Sequence, residues 1–255
     1  MARFLARHAA LFLGTLSMLA IVVVWQLAVD FGLIAPFFIS TPTAVAVQAA
    51  SSLMDGSLQS DLAATLSSFA LAFGLAGVVG VGLGALAGRF RDVEAALEPF
   101  IWFKYSAPTI AFYPLFIAWL GYGTSTVVCI GFLFALTPVY ANTLAGIKNA
   151  DHDLVRTAHS FGARPLDIFF KVVLPGSVPI VVAGLRIGVE RALTGVVVAE
   201  LFGAGAGLGY SIANSAQLMQ TTPMMVSIVV VILLGVILTQ MLSWLERRTD
   251  FWRVD

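Results

Sequence analysis

Long runs without Asp, Glu, Lys or Arg dominate this chain: residues 8–29, 62–88, 105–147 and 201–245. A helix needs about 20 mostly apolar residues to cross the hydrocarbon core of a bilayer, so the first two runs predict one span each. The third is too long for one span, and its Gly121-Tyr122-Gly123-Thr124-Ser125 cluster has turn chemistry. It predicts one helix that starts near Pro99 and ends near Leu120, and another from about residue 125. The fourth run opens on glycines at 203, 205, 207 and 209, too many for a helix interior. Its span is predicted from Pro223, a favourable first-turn residue. A further stretch, about 177–200, is apolar apart from Arg186, Glu190 and Arg191, and ends on Glu200.

The expectation is an all-α integral membrane protein with six transmembrane helices, about 9–29, 62–88, 98–120, 125–147, 177–200 and 223–245. They form one domain over 1–255, with a cytoplasmic loop at 148–176. The first apolar run is longer than the core of a signal peptide and no A-x-A site follows it, so it reads as a retained span.

Composition agrees with this pattern. Hydrophobic residues make up 59% of the 255 and charged residues 11%, against about 25% charged in a soluble domain. Mean hydropathy is +0.95. Net charge is zero, which gives no basic surface for nucleic acid. Cys129 is the one cysteine and reads as a small apolar packing residue. His8, His152 and His159 are scattered, without the clustering a metal site needs.

Basic residues alternate strictly between loops. The N-terminal tail holds Arg3 and Arg7; the loop after the second span holds Arg89 and Arg91. The loop after the fourth holds Lys148, Arg156, Arg164 and Lys171, and the C-terminal tail holds Arg247, Arg248 and Arg253. Segments 30–61, 121–124 and 201–222 contain no Lys or Arg. Lys and Arg accumulate on the cytoplasmic side, so both termini are expected there.

The basic loop 148–176 predicts a short helix outside the membrane, about 152–161. Asp151 or Asp153 caps its start and complements its dipole. Gly162 suits the left-handed position past its end, and Pro165 opens a second helix leading to Leu174-Pro175. The sequence Arg156-Thr157-Ala158, then Gly162, then Val172-Val173-Leu174-Pro175 has the spacing E-A-A-x3-G-x9-I-x-L-P. That pattern resembles the cytoplasmic signature of binding-protein-dependent ABC importer permeases. The last Ala, the Gly and the Leu-Pro pair match; Arg156 stands where the family carries glutamate, so the contact that glutamate makes does not carry over. Pro108 to Gly123 (PTIAFYPLFIAWLGYG), Gly184-Leu185-Arg186, and Val198-Ala199-Glu200 with the Gly207-Leu208-Gly209 turn resemble the nitrate/sulfonate/taurine branch.

The resemblance implies a permease subunit of a type I importer in a bacterial cytoplasmic membrane. A second permease copy, two cytoplasmic ABC ATPase subunits and an extracytoplasmic binding protein would complete it. The 152–161 segment would be the coupling helix that docks on the ATPase, with Asp153, Arg156, Ala158, Phe161, Gly162, Arg164, Leu174 and Pro175 forming the docking region. Small Ala158 and Gly162 allow a partner close, and Phe161 is the apolar anchor. The chain lacks a G-x4-G-K-[ST] phosphate loop. It therefore reads as a transport subunit without cofactor, with ATP and Mg held by the partner. The branch implies a small anion or organic acid as cargo, or alternatively a vitamin-like or aromatic one. A stand-alone six-helix carrier is the competing class, and it has no use for the coupling signature.

The charges within the spans are the candidates for the path or gate: Arg186, Glu190, Arg191 and Glu200, with Tyr113. Arg186 falls about 14 Å into its span. Arg186 and Glu190, four apart, can pair on one helix face, which makes them either a structural pair or a positive wall. Lys104 is expected to snorkel, and Glu200 either to cap a gate or to stay solvated. Gly80, Gly84 and Gly88, four apart, predict close helix packing.

Overall fold

The computed structural model describes the backbone of residues 2–249 and the side chains of residues 12–244. The side chains of Arg3, Arg7, Arg247 and Arg248, and all of Arg253, on which the basic termini rest, lie outside the described residues. The described chain is wholly helical: α1 (Ala2–Asp30), α2 (Pro42–Met54), α3 (Ser57–Arg89), α4 (Arg91–Ser106), α5 (Tyr113–Leu120), α6 (Thr124–Lys148), α7 (His152–Ser160), α8 (Pro165–Ile168), α9 (Leu174–Gly203), α10 (Leu208–Gln217) and α11 (Thr221–Thr249).

Among the described residues, five segments are long and apolar enough to cross a membrane: Phe12–Asp30, Ser57–Arg89, Thr124–Lys148, Pro165–Gly203 and Thr221–Trp244. The uninterrupted helix expected over 98–120 is not formed. α4 starts earlier, at Arg91, and ends at Ser106, before Ala107, whose backbone is extended (φ −79°, ψ 131°). Pro108 disfavours helical geometry in the residue before it. The chain continues through a 3-10 turn, Thr109–Phe112, into the short α5.

Two helices were not anticipated. α2 lies in the segment 30–61. Its signals are Thr41, whose side chain accepts from the Ala44 N–H at 3.2 Å, and Pro42 in the first turn. α10 follows the 203–209 glycines. The fifth span does not begin at 177. From Pro165 the chain is helical without a break, through α8, a π-helical turn at Phe169–Val173 and α9. Pro175 would clash with the carbonyl four residues back in a regular helix. A wider turn before it lets the helix pass this point.

α6 is the most enclosed helix, packed between α3 and α9. The glycines at 80, 84 and 88 face Val139, Thr143 and Ile147, a ridge with the same four-residue spacing. A Cβ on Gly84 would stand 2.6 Å from Thr143 Cβ and 2.8 Å from the Tyr140 carbonyl oxygen. The α9 side is equally close: a Cβ on Gly195 would meet the Phe134 Cβ at 2.9 Å. Gly84→Leu should therefore destabilise the purified chain by about 1–3 kcal/mol, read as a lower thermal midpoint in detergent. Gly82, where a Cβ would meet nothing within 4 Å, should accept leucine within about 0.5 kcal/mol. Equal midpoints for the two variants would remove the seam from the account of stability.

Candidate functional site: a capped external helix, a basic cavity and a buried carboxylate knot

The external helix α7 is fixed at both ends by its own sequence. The Asp151 carboxylate accepts from the N–H groups of Asp153 (2.8 Å) and Leu154 (3.2 Å). At the other end Gly162 has φ +78°. Its N–H bonds the His159 carbonyl at 2.9 Å, and the Ala163 N–H bonds the Ala158 carbonyl at 3.1 Å. That pair of bonds is the Schellman motif. Phe161 is 88% exposed, and Leu154, Leu166 and Phe170 are exposed too. Arg156 is exposed on the helix, and Arg164 caps α8. Leu174 and Pro175 instead sit half-buried where the π-helical turn meets α9.

A cavity of about 1030 Å³ opens among α4, α6 and α9. Near the α7 end of α6 it carries Glu94 and Lys148, whose Nζ and Oε1 are 2.5 Å apart. Further in stand Glu98, which accepts from Trp102 Nε1 at 3.2 Å, and then Lys104, Thr137 and Arg191. Thr137 is eleven residues from Lys148, about 16 Å along the helix. Arg191 was anticipated as a path residue; Lys104 joins it instead of standing alone. Glu94, Glu98, Trp102 and Thr137 were missed, because nothing in the sequence says that α4 folds beside α6.

Arg186 and Glu190 do not line this cavity. With Ile187, Arg191 and Thr194 they lie on the exposed side of α9, opposite the stripe of Gly184, Gly188, Ala192 and Gly195 that is buried.

Glu200 is 2% exposed. Its Oε2 accepts from Thr65 Oγ1 and from the Gly209 N–H, both at 2.9 Å. Thr65 Oγ1 in turn accepts from the Leu208 N–H at 2.8 Å, and Asp61 Oδ1 from the Gly207 N–H at 3.2 Å. The first amides of a helix have no partner within it. Here α3 and α9 supply the acceptors that α10 lacks. Glycine is required at 207 and 209. A Cβ would meet the Glu200 carboxyl carbon at 2.5 Å in the first case and the Val197 carbonyl oxygen at 2.4 Å in the second. The Gly207-Leu208-Gly209 turn was visible in the sequence; Asp61 and Thr65, more than a hundred residues upstream, were not.

Tyr113 is buried at the same end of α9, its ring against Gly203, and its hydroxyl has no hydrogen-bond partner among the described residues. Beside it the Gly123 N–H bonds the Gly203 carbonyl at 3.2 Å and Tyr122 Oη bonds the Ala204 carbonyl at 2.8 Å. None of the described residues form a His/Cys/Asp/Glu group able to hold a metal.

Comparison with known proteins gives this architecture its class. A family model described as "Binding-protein-dependent transport system inner membrane component" matches residues 80–251. The taurine transport system permease protein TauC of Escherichia coli (strain K12) is 31% identical over 97% of this chain and 91% of its own. The putative aliphatic sulfonates transport permease protein SsuC of Bacillus subtilis (strain 168) is 30% identical over 94% and 87%. The fold matches a chain of the inward-facing MetNI methionine ABC transporter with a TM-score of 0.65, covering 77% of this chain and 97% of that one at 18% identity. The chain belongs to the binding-protein-dependent transport inner membrane component family. It is the membrane-spanning permease subunit of an ABC importer.

Removing the carboxylate tests the knot. Glu200→Ala leaves the Gly209 N–H and the Thr65 hydroxyl without their acceptor in a dry site, and each orphaned group costs about 1–3 kcal/mol. The expected result is a lowered thermal midpoint and earlier proteolysis at α10, with Glu200→Gln intermediate. A midpoint unchanged in Glu200→Ala would show that the knot holds nothing.

Proposed function

We propose that this permease works as a homodimer, with both termini cytoplasmic, on two cytoplasmic ATPase subunits that bind ATP and Mg. An extracytoplasmic binding protein delivers the cargo, a small organic anion of the sulfonate or taurine kind. The observation that carries the reading is α7: a helix with both ends fixed, which carries Ala158 and Gly162 at the spacing of the coupling signature and presents Leu154 and Phe161 exposed beside them. Such a face has no use in a carrier that works alone. The cargo class rests on the sulfonate and taurine relatives. An aromatic acid is the second reading, favoured by Trp102 and Tyr105, whose ring centroids lie 6.3 Å apart at the cavity.

Docking in this reading runs through Asp153, Arg156, Ala158, Phe161, Gly162 and Arg164, with Leu174 and Pro175 anchoring the base of α9. Motion of the ATPase pair would reach α9 through α8 and the π-helical turn, since the three are one continuous rod.

Gly162→Leu tests the coupling. A Cβ there meets nothing within 4 Å, so crowding is no obstacle, but the positive φ opposes any branched side chain by about 1–2 kcal/mol. The variant should insert and assemble while ATPase stimulation by loaded binding protein falls severalfold in proteoliposomes. Gly162→Asn, which tolerates the left-handed region, should keep most of it. Wild-type stimulation in the leucine variant, or transport by the chain alone without ATP, would sink the proposal.

A further inference from the structure

The cavity among α4, α6 and α9 is walled by three bases and two acids, one positive charge in excess. Glu94 is bonded to Lys148, and Glu98 accepts from Trp102. Lys104, half-buried, and Arg191 are left facing the same space, near enough for their charges to repel, and among the described residues neither has an acidic partner within ion-pair distance. Thr137, on the same wall, keeps its hydroxyl buried, without a hydrogen-bond partner among the described residues. Charged groups at membrane depth are costly and face protein partners or water-filled paths. Two like charges brought together there repel, and a bound anion relieves that repulsion.

We propose that Lys104 and Arg191 form the site that holds the anionic group of the cargo inside the permease. The site deepens the reading of this chain as an importer of organic anions and rests on it for the identity of the occupant. A planar guanidinium and a point-charge ammonium on either side of one cavity suit a group with several equivalent oxygens, such as sulfonate or carboxylate. The remainder of the cargo would lie toward Trp102 and Tyr105. On this account, selection by charge takes place in the membrane subunit as well as in the binding protein.

The test separates the site from the transport cycle. The full chain is assembled with its ATPase in nanodiscs of phosphatidylcholine, without binding protein, and ethanesulfonate is titrated by saturation-transfer NMR. Saturable binding is expected, weakened about tenfold or more in Lys104→Met/Arg191→Met and largely kept in Arg191→Lys. Ethyl methyl sulfone, the uncharged analogue, should not bind. Addition of phosphatidylglycerol distinguishes the other source of such an anion: loss of ethanesulfonate binding to that lipid would make this a headgroup site and overturn the proposal. So would absence of binding to the wild type, or equal binding in the double variant. In parallel, ATP-driven uptake with the binding protein should fall by a similar factor in the double variant while stimulated ATPase activity persists. A wild type that imports no sulfonate defeats the cargo reading, yet the nanodisc comparison still decides the site.

Discussion

In hydrocarbon no water is released when two apolar helices meet, so α6 is held between α3 and α9 by close van der Waals contact and little else. Glycine makes the approach possible: Gly80, Gly84 and Gly88 admit the ridge of Val139, Thr143 and Ile147 from one side, and Gly184, Gly188 and Gly195 admit α6 from the other. Everything with a role in transport hangs from this three-helix core. α9 shows its charged side away from it, the cavity opens where α4 leans on α6, and α7 leaves from the end of α6. A looser seam would let α9 turn, and a turn of one residue would exchange Arg191 for a small buried neighbour.

Much of this was legible in the residues. Charge-free runs locate the spans, because the bilayer excludes charge whatever the fold. α7 was readable at both ends, since Asp151 and Gly162 act on their own neighbours. The limits have equally physical causes. An apolar run reports length and not continuity, so the breaks around Pro108 and Pro114 were hidden inside a stretch that reads as one span. The segment 30–61 falls between the first two predicted spans and its lack of Lys and Arg speaks only to its side of the membrane, so α2 goes unread although Thr41-Pro42 announces it. The start of α10 was unreadable because its acceptors come from Asp61, Thr65 and Glu200, across 146, 143 and 9 positions.

The interior charges divide in the same way. Spacing alone singled out Arg186 and Glu190, which share a helix face, but it cannot say which face meets a cavity. The fold pairs Arg191 with Lys104, 87 positions earlier in the chain, and places Glu200 out of reach of water. Long-range partners of this kind are the part of a membrane protein that hydropathy does not encode.

The side-chain capping of α10 also has a genetic consequence. A side chain at 207 is barred while Glu200 stands where it does, and one at 209 is barred by the Val197 carbonyl as well. Shortening Glu200 to aspartate makes room at 207 but strands the Gly209 amide, and losing the Thr65 hydroxyl strands that of Leu208. Each single exchange is a step downhill, whichever comes first. In drifting lineages Thr65, Glu200, Gly207 and Gly209 should therefore behave as one inherited character, replaced together or kept together, while the apolar lipid-facing positions around them vary one at a time.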